Sequence, residues 1–141
     1  MLGTPVSSSD SQASEGGDRA KLDAEISRAI QEEIGEACSS GGTIRSEGVF
    51  LQDLNGDGLD DLIVSHAGIE CGNRYALSYL CGVQVCAGQI YLNDTSTLRR
   101  AGSFEGNVEG ISSSTPPIIS IYQHGGRILR IQWDGRKFAG R

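Results

Sequence analysis

The most constraining feature of this sequence is a short acidic run between two apolar segments, DLNGDGLDD, from Asp53 to Asp61. Side-chain oxygens occupy positions 1, 3, 5 and 9 of the run, and a glycine occupies position 6. Ca²⁺ takes six to eight oxygen ligands, and loops with this type of spacing wrap the backbone around a single ion. The run therefore predicts a calcium-binding loop.

The predicted Ca²⁺ ligands are five residues of the run: Asp53, Asn55, Asp57, Leu59 and Asp61. Leu59 would bind through its backbone carbonyl and the other four through their side chains. Gly58 permits the sharp turn that a residue with a Cβ atom resists. Carboxylates this close in sequence repel one another unless a cation lies among them. The alternative is a metal-free hairpin turn, since Asn-Gly and Asp-Gly are ordinary turn sequences. Such a turn would require neither Asp53 nor Asp61, so the spacing favours calcium.

The segments on both sides of the acidic run indicate strands rather than helices. Residues 48–52 and 62–65 are rich in β-branched and aromatic side chains, which favour extended structure. An EF-hand would instead have flanking helices and a bidentate Glu at loop position 12, where this chain has Val64. We therefore expect a strand–loop–strand calcium hairpin.

Residues 50–64, FLQDLNGDGLDDLIV, resemble the calcium hairpin of FG-GAP repeats, the units of integrin-type propellers. The wider layout is similar to small exported bacterial proteins that carry one such hairpin. In those proteins, as the resemblance implies, a helix ending near a cysteine precedes the hairpin, and a cysteine-containing insert and a W-D-G-x-x-F hairpin follow it. The counterparts here are Cys38, Cys71, Cys81-Gly82, Cys86 and residues 133–138. A propeller needs several repeats, and this chain has one, so the integrin role is not implied.

The chain divides into a polar N-terminal segment and one domain. Residues 1–17 have almost no large apolar side chain, which predicts a disordered tail or linker, and residues 18–141 are long enough for a single domain. An amphipathic helix is expected from Asp18 to about Ala37. Its apolar stripe recurs at steps of three and four residues, through Leu22, Ile26, Ala29, Ile30 and Ile34.

The remainder of the chain predicts antiparallel strands. Strand signals recur at 89–93, 98–104, 107–111, 118–123 and 127–133, and the turn Asp134-Gly135 leads into a last strand at Phe138. A Gly- and Cys-rich insert from about Gly68 to Gly88 has little periodicity. The predicted fold class is α+β: an N-terminal amphipathic helix followed by a small antiparallel sheet of about six to eight strands that includes the calcium hairpin.

Charge and hydropathy exclude two classes of partner. The formal net charge of −6 and a sequence pI of about 4.8 argue against nucleic acid, which requires a basic face. No apolar run approaches the roughly 20 residues that a membrane-spanning helix needs. The expected partner is another protein, with an envelope hydrolase or a toxin as candidates, and the alternative is the cell envelope itself.

Four cysteines in a small domain with a calcium loop indicate export, with the protein periplasmic or secreted and its thiols oxidised. Three pairings are open. The short spacing of Cys81 and Cys86 favours a disulfide between them, which leaves Cys38 with Cys71. A zinc site formed by His66 and three of the cysteines is the alternative, but the gaps do not match paired C-x2-4-C knuckles.

No catalytic motif of a hydrolase, metalloprotease or phosphate-binding enzyme is present in the sequence. His66 and His124 are predicted to be surface or structural residues, and nothing singles out Glu105 and Glu109 as a glycosidase pair. We therefore expect a non-catalytic exported protein in which Ca²⁺ is structural and which presents a protein-binding surface. The alternatives are a periplasmic inhibitor or immunity protein that blocks a cell-wall-degrading enzyme through the Cys71–Cys86 loop, and a hydrolase with an unrecognised site.

Overall fold

A computed structural model describes residues 3–72, 81–82, 85–95 and 97–141, with side chains described from residue 17 onward. One long helix, α1 (Gly3–Ala37), precedes all the strands. Ten strands follow in the described part of the chain: β1 (Gly42–Ile44), β2 (Val49–Gln52), β3 (Asp61–Ser65), β4 (Ile69–Cys71), β5 (Ala87–Asp94), β6 (Thr97–Glu105), β7 (Asn107–Ile111), β8 (Ile118–Tyr122), β9 (Ile128–Trp133) and β10 (Phe138–Gly140). Short 3₁₀ turns at Ser46–Gly48 and His66–Gly68 precede β2 and β4.

Helix α1 ends at Ala37, as the sequence predicts, but it begins at Gly3 rather than at Asp18. The described core residues of α1 begin only at Leu22, so the predicted apolar stripe is the part of the helix that packs against the sheet. The division into a tail at 1–17 and a domain at 18–141 stays a prediction. No helix in the described residues combines the length and the apolar character needed to cross a bilayer.

The strands form two four-stranded antiparallel sheets and a small two-stranded one. The first sheet has the order β2-β3-β5-β6, the second sheet has the order β10-β9-β8-β7, and β1 pairs with β4. The α+β class is confirmed, whereas the predicted number of about six to eight strands was too low. Strands β1 and β4 were not predicted, because each has three residues and their pairing joins distant segments.

The first sheet is the middle layer of the molecule, covered by α1 on one face and by the second sheet on the other. Strand β3 is buried along its whole length. Leu62 and Val64 belong to the core shared with α1, whereas Ile63 belongs to the core shared with the second sheet. This alternation follows from the two-residue period of a strand, and it places the predicted calcium hairpin within the most buried layer.

The acidic run is the connection between the neighbouring strands β2 and β3, whose register pairs Gln52 with Asp61. Leu54, within the loop, is 1% exposed and packs into the core between the two sheets. The predicted strand–loop–strand hairpin is therefore present, and its loop is fixed to the core by an apolar side chain.

Two disulfides cross-link the chain outside the hairpin. Cys38 pairs with Cys71, which joins the end of α1 to β4, and Cys81 pairs with Cys86. This is the pairing that the sequence favours. The second disulfide lies against the β6–β7 connection, where the Gly106 N–H donates to the Cys86 carbonyl at 2.8 Å. Residues 73–80 and 83–84 of the predicted insert lie outside the described residues.

Candidate metal centre

Three of the five predicted ligands converge at the β2–β3 connection. Carboxylate oxygens of Asp53, Asp57 and Asp61 all lie within 4.8 Å of one another. Ca²⁺ binds oxygen at 2.3–2.6 Å, so two ligands on opposite sides of one ion are about 4.6–5.2 Å apart. Hard carboxylate oxygens also suit Ca²⁺ or Mg²⁺ better than softer metals. The donor set therefore fits one hard divalent cation.

Asp53 organises the loop through its carboxylate. Its Oδ1 accepts the N–H of Asn55 at 3.2 Å and of Gly56 at 2.8 Å, and its Oδ2 accepts the N–H of Gly58 at 2.8 Å. Partial burial alone would raise the pKa of Asp53, but the backbone hydrogen bonds outweigh it and lower that pKa. Asp53 is therefore ionised, and its hydrogen bonds to three backbone N–H groups fix the position of its carboxylate.

Glycines at two positions make this wrapping possible. Gly56 and Gly58 have φ values of 82° and 85°, in the left-handed region that residues with a Cβ atom rarely adopt. The prediction that Gly58 supplies the sharp turn is confirmed. With these backbone angles, the N–H groups of Gly56 and Gly58 point towards the Asp53 carboxylate.

Asp61 is the buried member of the cluster. It is 0% exposed at the start of β3, and its two oxygens accept the N–H groups of Leu54 and Asn93 at 2.7 and 2.8 Å. Burial raises the pKa of Asp61 to about 6, and the charges of Asp57 and Asp53 act in the same direction against the two hydrogen bonds. A divalent cation among these carboxylates would favour the ionised form.

The other two predicted ligands lie in the same loop. The Asn55 Oδ1 accepts the N–H of Asp57 at 3.3 Å, and the Leu59 N–H donates to Asp57 Oδ1 at 2.9 Å. The metal-ligand roles of Asn55 and Leu59 stay predictions. Asp60 is exposed and is not a member of the carboxylate cluster, so it offers a control for charge effects.

A second polar cluster, which the sequence reasoning missed, lies between α1 and the first sheet. The carboxylate of Glu33 accepts hydrogen bonds from His66 Nε2 at 2.7 Å, from the Tyr91 hydroxyl at 2.5 Å and from Arg100 at 2.5 Å. We refer to Glu33, His66, Tyr91 and Arg100 as the glutamate network. Arg100 also contacts Glu36 at 2.7 Å, at the solvent edge of the network.

The glutamate network is a structural feature of the helix–sheet interface. Glu33 and His66 are 0% exposed and Tyr91 is 1% exposed. Burial would raise the pKa of Glu33, but hydrogen bonds from His66, Tyr91 and Arg100 prevail and lower it. His66 is therefore not a surface residue, and a structural role, the other role expected for it, stays a prediction. A signal for Glu33 was present in the sequence, because Glu33 lies four residues after Ala29 and four before Ala37 on the apolar stripe.

The second histidine lies elsewhere, at an exposed turn. His124 lines a surface cleft of about 220 Å³ together with Val85, Glu105, Gln123 and Arg127. Glu109, the other carboxylate considered for a glycosidase pair, lies on β7 and does not line this cleft.

No protein-family model, curated protein or solved structure matches this chain. The resemblance of residues 50–64 to an FG-GAP hairpin stays a prediction.

Proposed function

We propose that this chain is an exported, non-catalytic calcium-binding protein that presents a protein-binding surface. One Ca²⁺ ion would stabilise the β2–β3 connection. The observation that carries the proposal is the convergence of Asp53, Asp57 and Asp61 within 4.8 Å at the end of the most buried layer.

The three carboxylates would hold the ion, and the Asn55 side chain and the Leu59 carbonyl complete the predicted set. When bound, Ca²⁺ supplies positive charge that offsets the mutual repulsion of the carboxylates. Asp53 keeps the loop closed through its hydrogen bonds to three backbone N–H groups. Asp61 connects the loop to the sheet, because it bonds Leu54 in the loop and Asn93 on β5.

A structural role follows from the size of the expected stabilisation. An ion that binds only the folded state adds RT ln(1 + [L]/Kd) to the free energy of unfolding. At ~1 mM Ca²⁺ this is about 1.4 kcal/mol for a Kd near 100 µM and about 4 kcal/mol for a Kd near 1 µM. Since small domains have a total stability of about 5–15 kcal/mol, the tighter site would decide whether the protein is folded.

The disulfides support export of the chain. All four cysteines are paired, as Cys38–Cys71 and Cys81–Cys86. Disulfides persist in oxidising compartments such as the periplasm or the extracellular space, where Ca²⁺ concentrations suit sites of modest affinity. The proposed location is therefore periplasmic or extracellular.

A non-catalytic role is supported by how the buried ionisable groups are used. Glu33 and His66, the buried pair closest to an acid–base arrangement, are buried within the glutamate network, out of reach of solvent. The narrower hypothesis of an inhibitor or immunity protein relies on the Cys71–Cys86 loop. It stays a prediction, because residues 73–80 and 83–84 lie outside the described residues.

Thermal unfolding in Ca²⁺ and in EDTA tests the proposal. We expect ~1 mM Ca²⁺ to raise the Tm of the chelator-treated protein by about 3–16 °C, since 1 kcal/mol shifts Tm by about 2–4 °C in a domain near this size. Mg²⁺ at the same concentration should raise it less, because Mg²⁺ demands octahedral geometry and keeps its own waters. Equal melting in Ca²⁺ and EDTA would contradict the structural role.

A further inference from the structure

The charges of this acidic chain are unevenly distributed. Residues 107–141, which contain all of the second sheet, have five basic and two acidic side chains. The other 106 residues have seven basic and sixteen acidic side chains. The segment that forms the second sheet and its turns is therefore basic, in a molecule whose formal net charge is −6.

The basic side chains of the two parts differ in their partners. Arg28, Arg45, Arg99 and Arg100 each form an ion pair with a carboxylate, at 2.5–3.6 Å. In contrast, within the described part of the chain, no ion pair involves the five basic residues that lie on or next to the strands of the second sheet. All five are exposed: Arg127, Arg130, Arg136, Lys137 and Arg141. Asp134 lies in the same turn as Arg136 and Lys137 and accepts their backbone N–H groups at 2.8 Å, but it forms no side-chain ion pair with either. The charged groups of the five residues are therefore open to an external partner, those of Arg136 and Lys137 with Asp134 nearby.

The outward face of the second sheet combines these charges with apolar and aromatic groups. The inward residues Ile119, Ile121 and Ile131 are buried in the core. Because side chains alternate along a strand, the neighbours of these residues point outward. The register places Tyr122 beside Ile128 and Ser120 beside Arg130 on that face. Tyr122 is 36% exposed, which is high for a large aromatic side chain.

The basic residues are arranged on and around this face. Arg130 lies on the face itself, and the Arg141 N–H donates to the Arg130 carbonyl at 2.8 Å. Arg127 is in the turn before β9, whereas Arg136 and Lys137 are in the turn after it. An apolar and aromatic centre with charged residues at the rim is the composition of a protein-binding surface, in which Tyr and Arg are enriched.

We propose that the outward face of β8 and β9, with Arg130 on the face and four further basic residues in the adjoining turns and at the C-terminus, binds a protein partner through an acidic surface with an apolar centre. This inference builds on the proposed function, of which it names the interaction surface and the chemistry of the partner. The unpaired cations match carboxylates of the partner and steer its approach. Tyr122 and Ile128 would form the apolar centre of the interface, where contact with the partner excludes water.

A protein partner fits this face better than nucleic acid or a second copy. Five cations spread over a short sheet can pair with a few carboxylates, whereas a nucleic acid backbone would also meet the sixteen acidic side chains elsewhere. A second copy could offer only its acidic helix side. Such a contact joins two different surfaces and generates rings or open chains rather than a closed dimer.

The experiment uses the full chain in calcium buffer and a random copolymer of glutamate and tyrosine as the probe. Amide chemical shifts in NMR spectra map where the probe binds, and a titration gives its Kd. We expect shifts on β8 and β9, and weakening of binding by about tenfold or more in the R130E/K137E variant. The R19E/K21E variant has the same change in charge on exposed residues of α1 and should bind within about twofold of the unmodified protein.

Several outcomes would overturn the proposal. These are shifts confined to α1, equal losses in the two variants, or no binding of the copolymer. Tighter binding of duplex DNA or of phosphatidylglycerol vesicles would assign the face to another class of partner. Concentration-dependent sedimentation that R130E/K137E abolishes would assign it to a second copy. The Ca²⁺-dependent Tm shift is measured on the same samples, so failure of the metal site is seen separately from failure of this surface.

Discussion

Asp61 bonds two backbone amides and also belongs to the carboxylate cluster. Its oxygens accept the N–H groups of Leu54 and Asn93, and they also lie within 4.8 Å of Asp53 and Asp57 oxygens. Replacement of Asp61 would therefore disturb both folding and metal binding. Asp57 is a better residue to change, because it is exposed and its side chain accepts, among the described residues, only the nearby Leu59 N–H.

We predict that Asp57→Asn removes most of the Ca²⁺-dependent rise in Tm and leaves the Tm in EDTA unchanged or slightly higher. The amide keeps an oxygen that can accept the Leu59 N–H, while the loss of one charge reduces repulsion among the carboxylates. The measurement is thermal unfolding in Ca²⁺ and in EDTA.

Asp60→Asn is the matched control for this substitution. It removes the same charge from the same loop, but Asp60 is not in the cluster. The Ca²⁺-dependent rise should persist in this variant. An equal loss of the rise in both variants would show that general loop charge, rather than a defined ligand, causes the effect.

At the scale of elements, the glutamate network joins α1 to three strands or strand ends of the first sheet. Glu33 lies on α1, His66 directly follows β3, and Tyr91 and Arg100 lie on β5 and β6. Among the described residues, no buried side-chain nitrogen or oxygen lacks a hydrogen-bond partner. Removal of the central carboxylate would leave several donors unpaired at a buried interface, which is strongly destabilising.

We predict that Glu33→Gln lowers the free energy of unfolding by about 3–5 kcal/mol at neutral pH. Because the folded-state pKa of Glu33 lies below its usual value of 4.5, its contribution is present above pH 4.5 and is lost as pH falls through the folded value. The difference between the two proteins should therefore shrink below about pH 4.5. Urea unfolding between pH 3 and pH 7 measures it.

Glu47→Gln is the control for the Glu33→Gln prediction. Glu47, whose side chain is 73% exposed, forms only a long contact with Arg45 at 3.8 Å, so Glu47→Gln should change stability by less than about 1 kcal/mol. A loss of stability in Glu33→Gln that stays constant with pH would contradict an ionised carboxylate at the centre of the network.

Much of the element order could be predicted from local sequence, because it depends on short-range patterns. The apolar stripe from Leu22, the hairpin around residues 53–61 and the strands after residue 87 all follow from periodicity and turn residues. Strands β1 and β4 could not be found in this way, since each is three residues long and depends on a distant partner. Nor does sequence show that Glu33 meets Tyr91 and Arg100, because those contacts exist only once α1 lies on the sheet.

The candidate site was predictable to a similar extent. The spacing of the acidic run identified the three carboxylates that converge. The hydrogen bond from Asn93 to Asp61 was not foreseeable, since it crosses from β5 to β3. The division of charge between the two parts of the chain is visible in the sequence, but the contrast in ion pairing requires the structure.

At the scale of the whole molecule, the two disulfides enclose segments of different length. Cys38 and Cys71 are separated by 33 residues, whereas Cys81 and Cys86 are separated by 5. Cys38 and Cys71 are also buried in the core between α1 and the first sheet. The first disulfide therefore restricts the unfolded chain more and has more packing contacts in the folded protein.

We predict that C38S/C71S destabilises the protein more than C81S/C86S does. Loop-closure entropy alone gives about 3.7 kcal/mol for the longer segment and about 2 kcal/mol for the shorter one. Denaturant unfolding of both double variants at fixed Ca²⁺ measures the difference. A larger loss in C81S/C86S would show that the short loop, rather than the helix–strand link, dominates the stability.

The central claim is that one hard divalent cation binds Asp53, Asp57 and Asp61, and isothermal titration calorimetry on chelator-treated protein tests it most directly. We predict one Ca²⁺ bound per chain with a Kd between about 1 and 100 µM, and a Kd raised by about tenfold or more in the Asp57→Asn variant under the same conditions. Absence of saturable binding to the unmodified protein at two temperatures would contradict the account, as would identical isotherms for the two proteins.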